Sequence, residues 1–283
     1  MSDPRLASSH LHADVRRLEA QVQLSWSREA AALRRLGFTD GQAVLEVGCG
    51  PGFITERLLA EFAHSSVTAI ELDPAMASLA RARLQRDLGT RLEVVDASVS
   101  LTPFADAAFD GALARYVFQH LAAPDLAAAE LYRVLKPGGH VAIIDTDDDL
   151  GGLLVPAVPS MQRVLLKLGQ IQRQRGGDRT IGRKLWRLLA AAGFVALDLQ
   201  ALLFHSDELG LGAFSAQYEP RRLRRFVHPG GITEEEWAAY RGGWAEFLAT
   251  PDALIVQLIL LASGVKPLAA TPPEPALAPG AVL

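Results

Sequence analysis

Val44-Leu45-Glu46-Val47-Gly48-Cys49-Gly50-Pro51-Gly52-Phe53-Ile54-Thr55 is the stretch on which the fold turns. Its apolar start, Ala43 to Val47, reads as a strand buried on both faces. Three glycines follow, then residues with helical spacing. A strand entering glycines and leaving as a helix is a nucleotide-binding turn, because glycine lets backbone amides approach a ligand that a Cβ would hold off. The spacing is G-x-G-x-G, with Phe53 where the dinucleotide fingerprint needs a third small residue, so an NAD-linked dehydrogenase is disfavoured. Glu46 lies inside the strand, where a carboxylate is costly unless loop amides or a cationic ligand meet it.

Working outward, the pattern repeats. Phe53 to Phe62 is helical, Ser66 to Glu71 a second strand, and Pro74 to about Leu88 a helix with proline in its first turn. Arg91 to Asp96 and Asp110 to Tyr116 are strands three and four, Pro124 to Leu135 a helix, and His140 to Asp145 strand five. Lys136-Pro137-Gly138-Gly139 reads as a helix stop, with Lys136 at the negative end of the preceding helix. Upstream, Val15 to Leu36 is an amphipathic helix after an unstructured 1–13. Downstream, helices are expected over Leu153–Gln174 and Ile181–Ala192, and a strand over Val195–Phe204. Two more helices fall in 206–250, the second capped by Thr233, before a last strand over Asp252–Ala262. Such alternation implies an α/β, doubly wound sheet. Glu71, nineteen residues beyond Gly52, then ends strand two at the crevice, where it can accept from both hydroxyls of a ribose. Asp96 ends strand three, placed either to meet an adenine amino group or to cap the next turn.

The segments VLEVGCGPG, Glu71, VVDAS, FDGALARYVFQHL and LKPGGHVAIID stand in the order and spacing of class I S-adenosylmethionine-dependent methyltransferases. The resemblance is strongest to the group that includes ubiquinone- and menaquinone-biosynthesis and natural-product enzymes, and covers roughly residues 42–146. It implies a seven-stranded sheet with the last strand antiparallel and S-adenosyl-L-methionine as cofactor. It also implies that Gly48, Cys49 and Gly50 contact the methionine and ribose portion while Glu46 steadies the loop. Glu71 would hold the ribose, Leu72 pack on adenine, and Asp96 with Ala97 line the adenine end. Arg115 takes a position that borders the methionine moiety. The expected organisation is a tail and cover helix over 1–36, a cofactor-binding core over 37–149, and the rest of the sheet over 150–267. Lid insertions fall at 150–178 and 206–250, and a Pro-rich disordered tail at 268–283.

Composition narrows the partners. A net charge of −4 at pH 7 supplies no basic footprint for nucleic acid, and ARYVFQHL lacks the Pro-Pro-aromatic motif that handles a flipped base. Cys49, the single cysteine, excludes an internal disulfide and fits a reducing, cytoplasmic setting. It reads as a small loop residue rather than a nucleophile. The longest apolar run, Leu254 to Ser263, is too short for the ~20 residues that span a bilayer, so no membrane partner is expected.

Methyl transfer from a sulfonium needs mainly alignment of acceptor, methyl and sulfur. A base is needed only if the acceptor must lose a proton, and His120 is the candidate for it. Tyr116 and Asp145 are candidate walls of the acceptor pocket. The acidic run Asp145 to Asp149 reads as a solvated loop or a contact to the acceptor, not as a metal site. Arg221-Arg222-Leu223-Arg224-Arg225 reads as a wet helix face, with contact to an anionic substrate as the other reading. The expected function is methylation of a small-molecule acceptor, a secondary metabolite or cofactor precursor. A peptide acceptor, or a non-catalytic cofactor-binding assembly subunit, is the alternative. No motif specifies the acceptor, the atom methylated or the oligomeric state.

Overall fold

The computed structural model describes residues 4–268, with side chains from Asp14 onward. In chain order its elements are α1 (Pro4–Arg35), β1 (Ala43–Val47), α2 (Phe53–Glu61), β2 (Ser66–Glu71), α3 (Pro74–Arg83), β3 (Leu92–Asp96) and β4 (Phe109–Arg115). Then come α4 (Pro124–Val134), β5 (Leu135–Asp145), β6 (Leu153–Val155), α5 (Pro159–Gln174), α6 (Leu185–Ala192) and β7 (Val195–His205). The last are α7 (Ser206–Leu209), α8 (Leu211–Tyr218), α9 (Glu234–Ala249) and β8 (Leu254–Val265), with a 3₁₀ turn at Pro220–Phe226.

The strands lie in the order β3-β2-β1-β4-β5-β8, parallel until β8 runs against β5. On its other edge β8 pairs with β7, giving the seven strands expected with the last antiparallel, and the short β6 adds an eighth strand against β8. The order reverses between β1 and β4, so the carboxyl ends of β1, β2 and β4 open a crevice there. Helices cover both faces. One core layer joins Leu33 of α1, Leu58 of α2, Ala80 of α3, Met161 of α5 and Tyr240 of α9. The other seats Leu131 of α4 and Leu189 of α6 against Ala112 and Ile143.

Local chemistry explains most boundaries. Asp73 accepts from the amides of Ala75 and Met76 ahead of α3, and Thr233 and Glu236 form a reciprocal capping box on α9. Gly193, at φ 99°, ends α6 in the left-handed conformation.

Three expectations change. Helix α1 begins at Pro4, inside the segment read as unstructured; proline suits a first turn and the polar stretch carries no breaker after it. The helix expected from Leu153 starts only at Pro159, because Leu153–Val155 instead pairs antiparallel with β8 beyond the end of β5. LKPGG joins the start of β5 rather than standing as a separate stop. Its Lys136 pairs with Asp110 at 2.7 Å, and the carbonyls at the end of α4 are met by Lys266, whose Nζ donates to Tyr132 and Leu135 at 2.7 Å each. The Pro-rich tail, from residue 269 on, lies outside the described residues.

Candidate functional site

At the end of β1 the chain turns through Gly48, Gly50 and Gly52, all at positive φ (67°, 55° and 81°). Each glycine has its own reason. A Cβ on Gly48 would sit 2.5 Å from Val117 Cγ2, and one on Gly52 would press Leu84 and Ala80, so these two permit close packing. A Cβ on Gly50 would meet nothing within 4 Å: this side of the loop faces open space. The amides of Gly48 and Cys49 both donate to the Ile70 carbonyl, tying the loop to β2.

Glu71 clamps the loop from the next strand. Its Oε2 accepts from the Gly50 amide at 2.8 Å, and its Oε1 accepts from Leu72 and Asp73 at 2.8 and 2.9 Å. Leu72 beside it is 72% exposed, an apolar side chain left bare at the mouth of the crevice. Glu46 is buried under the loop. Burial pushes its carboxyl up to about 7, against the pull of Thr55 and Arg115, while Glu71 adds to the rise. Cys49 is buried too, and burial with the acids Glu46 and Glu71 drives its thiol far up, so it is no nucleophile.

These residues line one cavity of about 1280 Å³, above the ~300–1,000 Å³ usual for a single small ligand. Its walls come from the glycine loop, the ends of β2 and β4, and the segments 14–22, 162–180 and 217–226. Among the described residues, six buried side-chain polar atoms lack a hydrogen-bond partner. Five of them belong to residues on this wall: Gln21 Oε1, Glu46 Oε2, Gln217 Nε2, Arg222 Nε and Gln257 Oε1. Buried polar groups are normally paired, so a wall carrying so many orphans is shaped for a polar ligand. The orphaned Glu46 oxygen and the open side of Gly50 fit a cationic adenosyl cofactor at that end.

Of the residues expected in the site, Glu46, Gly48, Cys49, Gly50, Glu71, Leu72, Ala97, Arg115, Tyr116 and His120 all line the cavity. Asp96 and Asp145 are not on its wall. Arg81 draws Asp96 aside with a 2.7 Å bond to Oδ1, anchoring β3 to α3. Asp145 turns inward and is fully buried, its two oxygens accepting from the Gln119 and Thr146 amides at 3.0 and 2.8 Å. Its bond to the Gln119 amide holds a residue of the cavity wall in place. The rest of the acidic run is tied down by arginines, with Asp149 still exposed and Asp148 and Asp149 on the cavity wall. Asp147 is buried against Arg183, Asp148 is held by Arg179, and Asp149 meets Arg183 at 2.9 Å. Among the described residues no cluster of three or more His, Cys, Asp or Glu side chains could hold a metal.

Arg115 has a role that no local motif announced. Its Nε donates to both Glu29 oxygens, at 3.0 and 2.9 Å, and its Nη2 to Ser25 Oγ at 2.8 Å. The pair is buried, with side chains 7% and 1% exposed, and it pins α1 across the mouth of the crevice. The next residue, Tyr116, is held at φ 57°, a left-handed backbone rare for an aromatic residue, with the Arg115 guanidinium 4.7 Å from its ring centroid. His120 follows on a short 3₁₀ turn. Burial, then the charges of Arg179 and Arg17, hold its imidazole below the usual value, so it is neutral at pH 7. Its Nδ1 lies 3.3 Å from Gln172 Nε2, an amide nitrogen that also donates to the Gln119 carbonyl at 2.8 Å. Nδ1 therefore faces a donor, and the neutral ring carries its proton on Nε2.

Residues 45–143 match the family described as "Methyltransferase domain". The chain is 27% identical over 196 residues to a malonyl-[acyl-carrier protein] O-methyltransferase of Paenibacillus sp. (strain JDR-2), covering 68% of each. It is 31% identical over 137 residues to a ubiquinone/menaquinone biosynthesis C-methyltransferase of Brucella anthropi, covering 48% of this chain and 49% of the relative. The aligned region thus spans between about half and two thirds of these relatives. Among solved structures, a Haemonchus contortus phosphoethanolamine N-methyltransferase 2 bound to S-adenosylhomocysteine superposes with a TM-score of 0.56 at 20% identity, covering 88% of this chain and 57% of that one. That likeness is one of fold.

Proposed function

We propose that the chain transfers the methyl group of S-adenosyl-L-methionine to a small-molecule acceptor, a reading supported by the match of residues 45–143 to the methyltransferase-domain family. Nothing long and apolar enough to cross a membrane is found among the helices of the described residues. The observation that carries the reading is the pairing of Glu46 and Glu71 around a glycine loop whose Gly50 side is open. The loop would take the methionine and ribose portion, with the lone pairs of Glu71 not used by amides accepting the ribose hydroxyls. Leu72 and Ala97 would cover the adenine. When bound, the donor supplies an activated methyl on a positively charged sulfur. The protein aligns the acceptor with it, and segments 1–36, 150–178 and 206–250 cover the acceptor and exclude water. Acceptors of the secondary-metabolite or cofactor-precursor kind fit a cavity of this size.

Turnover of methyl-labelled donor against a metabolite extract tests this. Labelled product is expected. Saturable donor binding with no product over a wide acceptor panel, peptides included, would indicate a non-catalytic binding subunit.

Two further outcomes are expected. Glu46 must be ionised to oppose the donor's charge, and its carboxyl is raised to about 7. Donor affinity should therefore fall as pH drops from 8 to 6, as Glu46 takes up its proton. In Glu46→Gln the fall should be smaller and affinity at pH 8 about tenfold weaker, the scale of one charge-assisted hydrogen bond. The donor's own groups titrate identically with both proteins, so calorimetry on the pair isolates Glu46. An equal pH slope would remove it from the donor site. If the acceptor loses a proton to His120, His120→Ala should lower kcat by about 10²–10⁴-fold. The wild-type rate should then rise with pH through a value below 6.5, the direction in which burial and Arg179 move the ring. A near-normal rate at saturating acceptor would end its candidacy as base.

A further inference from the structure

The wall of the cavity formed by segments 14–22 and 217–226, with Arg179 from segment 162–180, carries an excess of positive charge. Arg17, Arg179, Arg222 and Arg225 all line it. Among the described residues, two carboxylates serve these four guanidiniums. Asp148 is taken by Arg179, in two bonds. Asp14 is taken by Arg225 and stands 3.8 Å from Arg17, outside hydrogen-bond range. Among the described residues Arg222 is in no ion pair, and its Nε, like Gln217 Nε2 on the same wall, has no partner.

Such a cluster is expensive as it stands. Burial, and then the charges of Arg222 and Arg225, pull the Arg17 guanidinium down to about 10, while Asp14 pulls the other way. Burial likewise lowers Arg222, with Arg179 and Arg225 adding to the effect and Tyr240 and Asp14 opposing it. Guanidiniums that face a cavity without a hydrogen-bonded carboxylate are costly until an anion meets them, and Arg presents a planar fork suited to carboxylate or phosphate oxygens. The same cavity also carries the acids Glu46 and Glu71, at the glycine loop. The acids at the glycine loop suit a cation and the arginine cluster suits an anion.

We infer that the methyl acceptor is itself an anion, a carboxylate or a phosphate monoester, whose charged group is bound by Arg222 and Arg17 with the Gln217 amide. This rests on the methyltransferase reading for its word acceptor, though not for the anion site itself. The run Arg221 to Arg225 is then divided in its labour. Arg224 pairs with Glu234 over the Trp237 ring on the outside, and Arg222 turns in.

The test is calorimetry on the protein saturated with S-adenosylhomocysteine, titrated with benzoate, phenyl phosphate, neutral benzamide and cationic benzylamine at one ionic strength. Both anions should bind at least about tenfold more tightly than benzamide, the scale of one charge-assisted bond, and benzylamine not at all. The tighter of the two anions names the acceptor's group. Arg222→Gln and Arg17→Gln should each weaken the anions about tenfold or more and leave S-adenosylhomocysteine affinity within about twofold. Equal binding of benzamide and benzoate, or no anion binding at millimolar concentration, would overturn the inference, and so would anion affinities unmoved by both substitutions. The wild-type series decides even if a variant is unstable. Should S-adenosylhomocysteine fail to bind, the proposed function falls, and the same series on the ligand-free protein still decides the anion site.

Discussion

Glu29→Ala is expected to destabilise the protein by about 3–5 kcal/mol, the usual penalty for removing one partner of a buried ion pair. The penalty arises because Arg115 stays behind, 7% exposed, with a charge that only Ser25 Oγ and the Gln21 carbonyl then partner. The melting temperature should fall on the order of 10 °C. Arg115→Ala should cost a similar amount by stranding Glu29. The double change to apolar residues of like volume should recover most of the loss, since the charged pair and a well-packed apolar pair are often close in energy. Glu61→Ala is the control, because its partner Arg34 is half exposed. A surface pair of that kind contributes about 0–1 kcal/mol. Equal losses for Glu29→Ala and Glu61→Ala in denaturant titrations would mean that α1 is not locked to β4 by this pair. The consequence reaches function, since α1 forms part of the cavity wall.

The second large effect is on donor binding. Glu71→Ala removes a carboxylate that holds three loop amides and, with the proposed donor bound, both ribose hydroxyls. Hydrogen bonds to a charged group contribute about 1.5–3 kcal/mol each, so even one lost ribose bond weakens binding about tenfold and two weaken it about a hundredfold or more. The half-exposed loop amides can turn to water, so stability should fall much less than affinity. Calorimetry with S-adenosyl-L-methionine separates the two, and unchanged affinity would take Glu71 out of the site.

What could be read from the chain alone follows the range of the interactions. Gly48, Gly50, Gly52 and Glu46 were legible because a strand, a turn and a helix start are local events within a dozen residues. Glu71 was legible because one strand–helix–strand unit fixes its distance from the loop. Glu29 was not, because its partner Arg115 lies 86 residues away and nothing near either marks the pairing. The same holds for Lys266, which follows β8, reaches back to the end of α4 and takes the place that the sequence assigns to Lys136. Asp96 and Asp145 were placed correctly at strand ends, but which way each carboxylate points depends on Arg81 and on the turn at Gln119. In the arginine run, composition told of charge and not of direction. Only the 3₁₀ turn at Pro220–Phe226 sends Arg222 inward while Leu223 packs into the core. Leu153 to Val155 looked helical since a three-residue strand leaves no period to read, and an open edge on β8 decided it.

The central claim is that the glycine loop, Glu46 and Glu71 converge on one adenosyl ligand. A crystal structure of the complex with S-adenosylhomocysteine tests it most directly. Ribose hydroxyls within about 2.5–3.0 Å of the Glu71 oxygens, with adenine against Leu72 and Ala97, are the expected result. An adenosyl group bound elsewhere, or a crevice filled by the protein's own side chains, would contradict it.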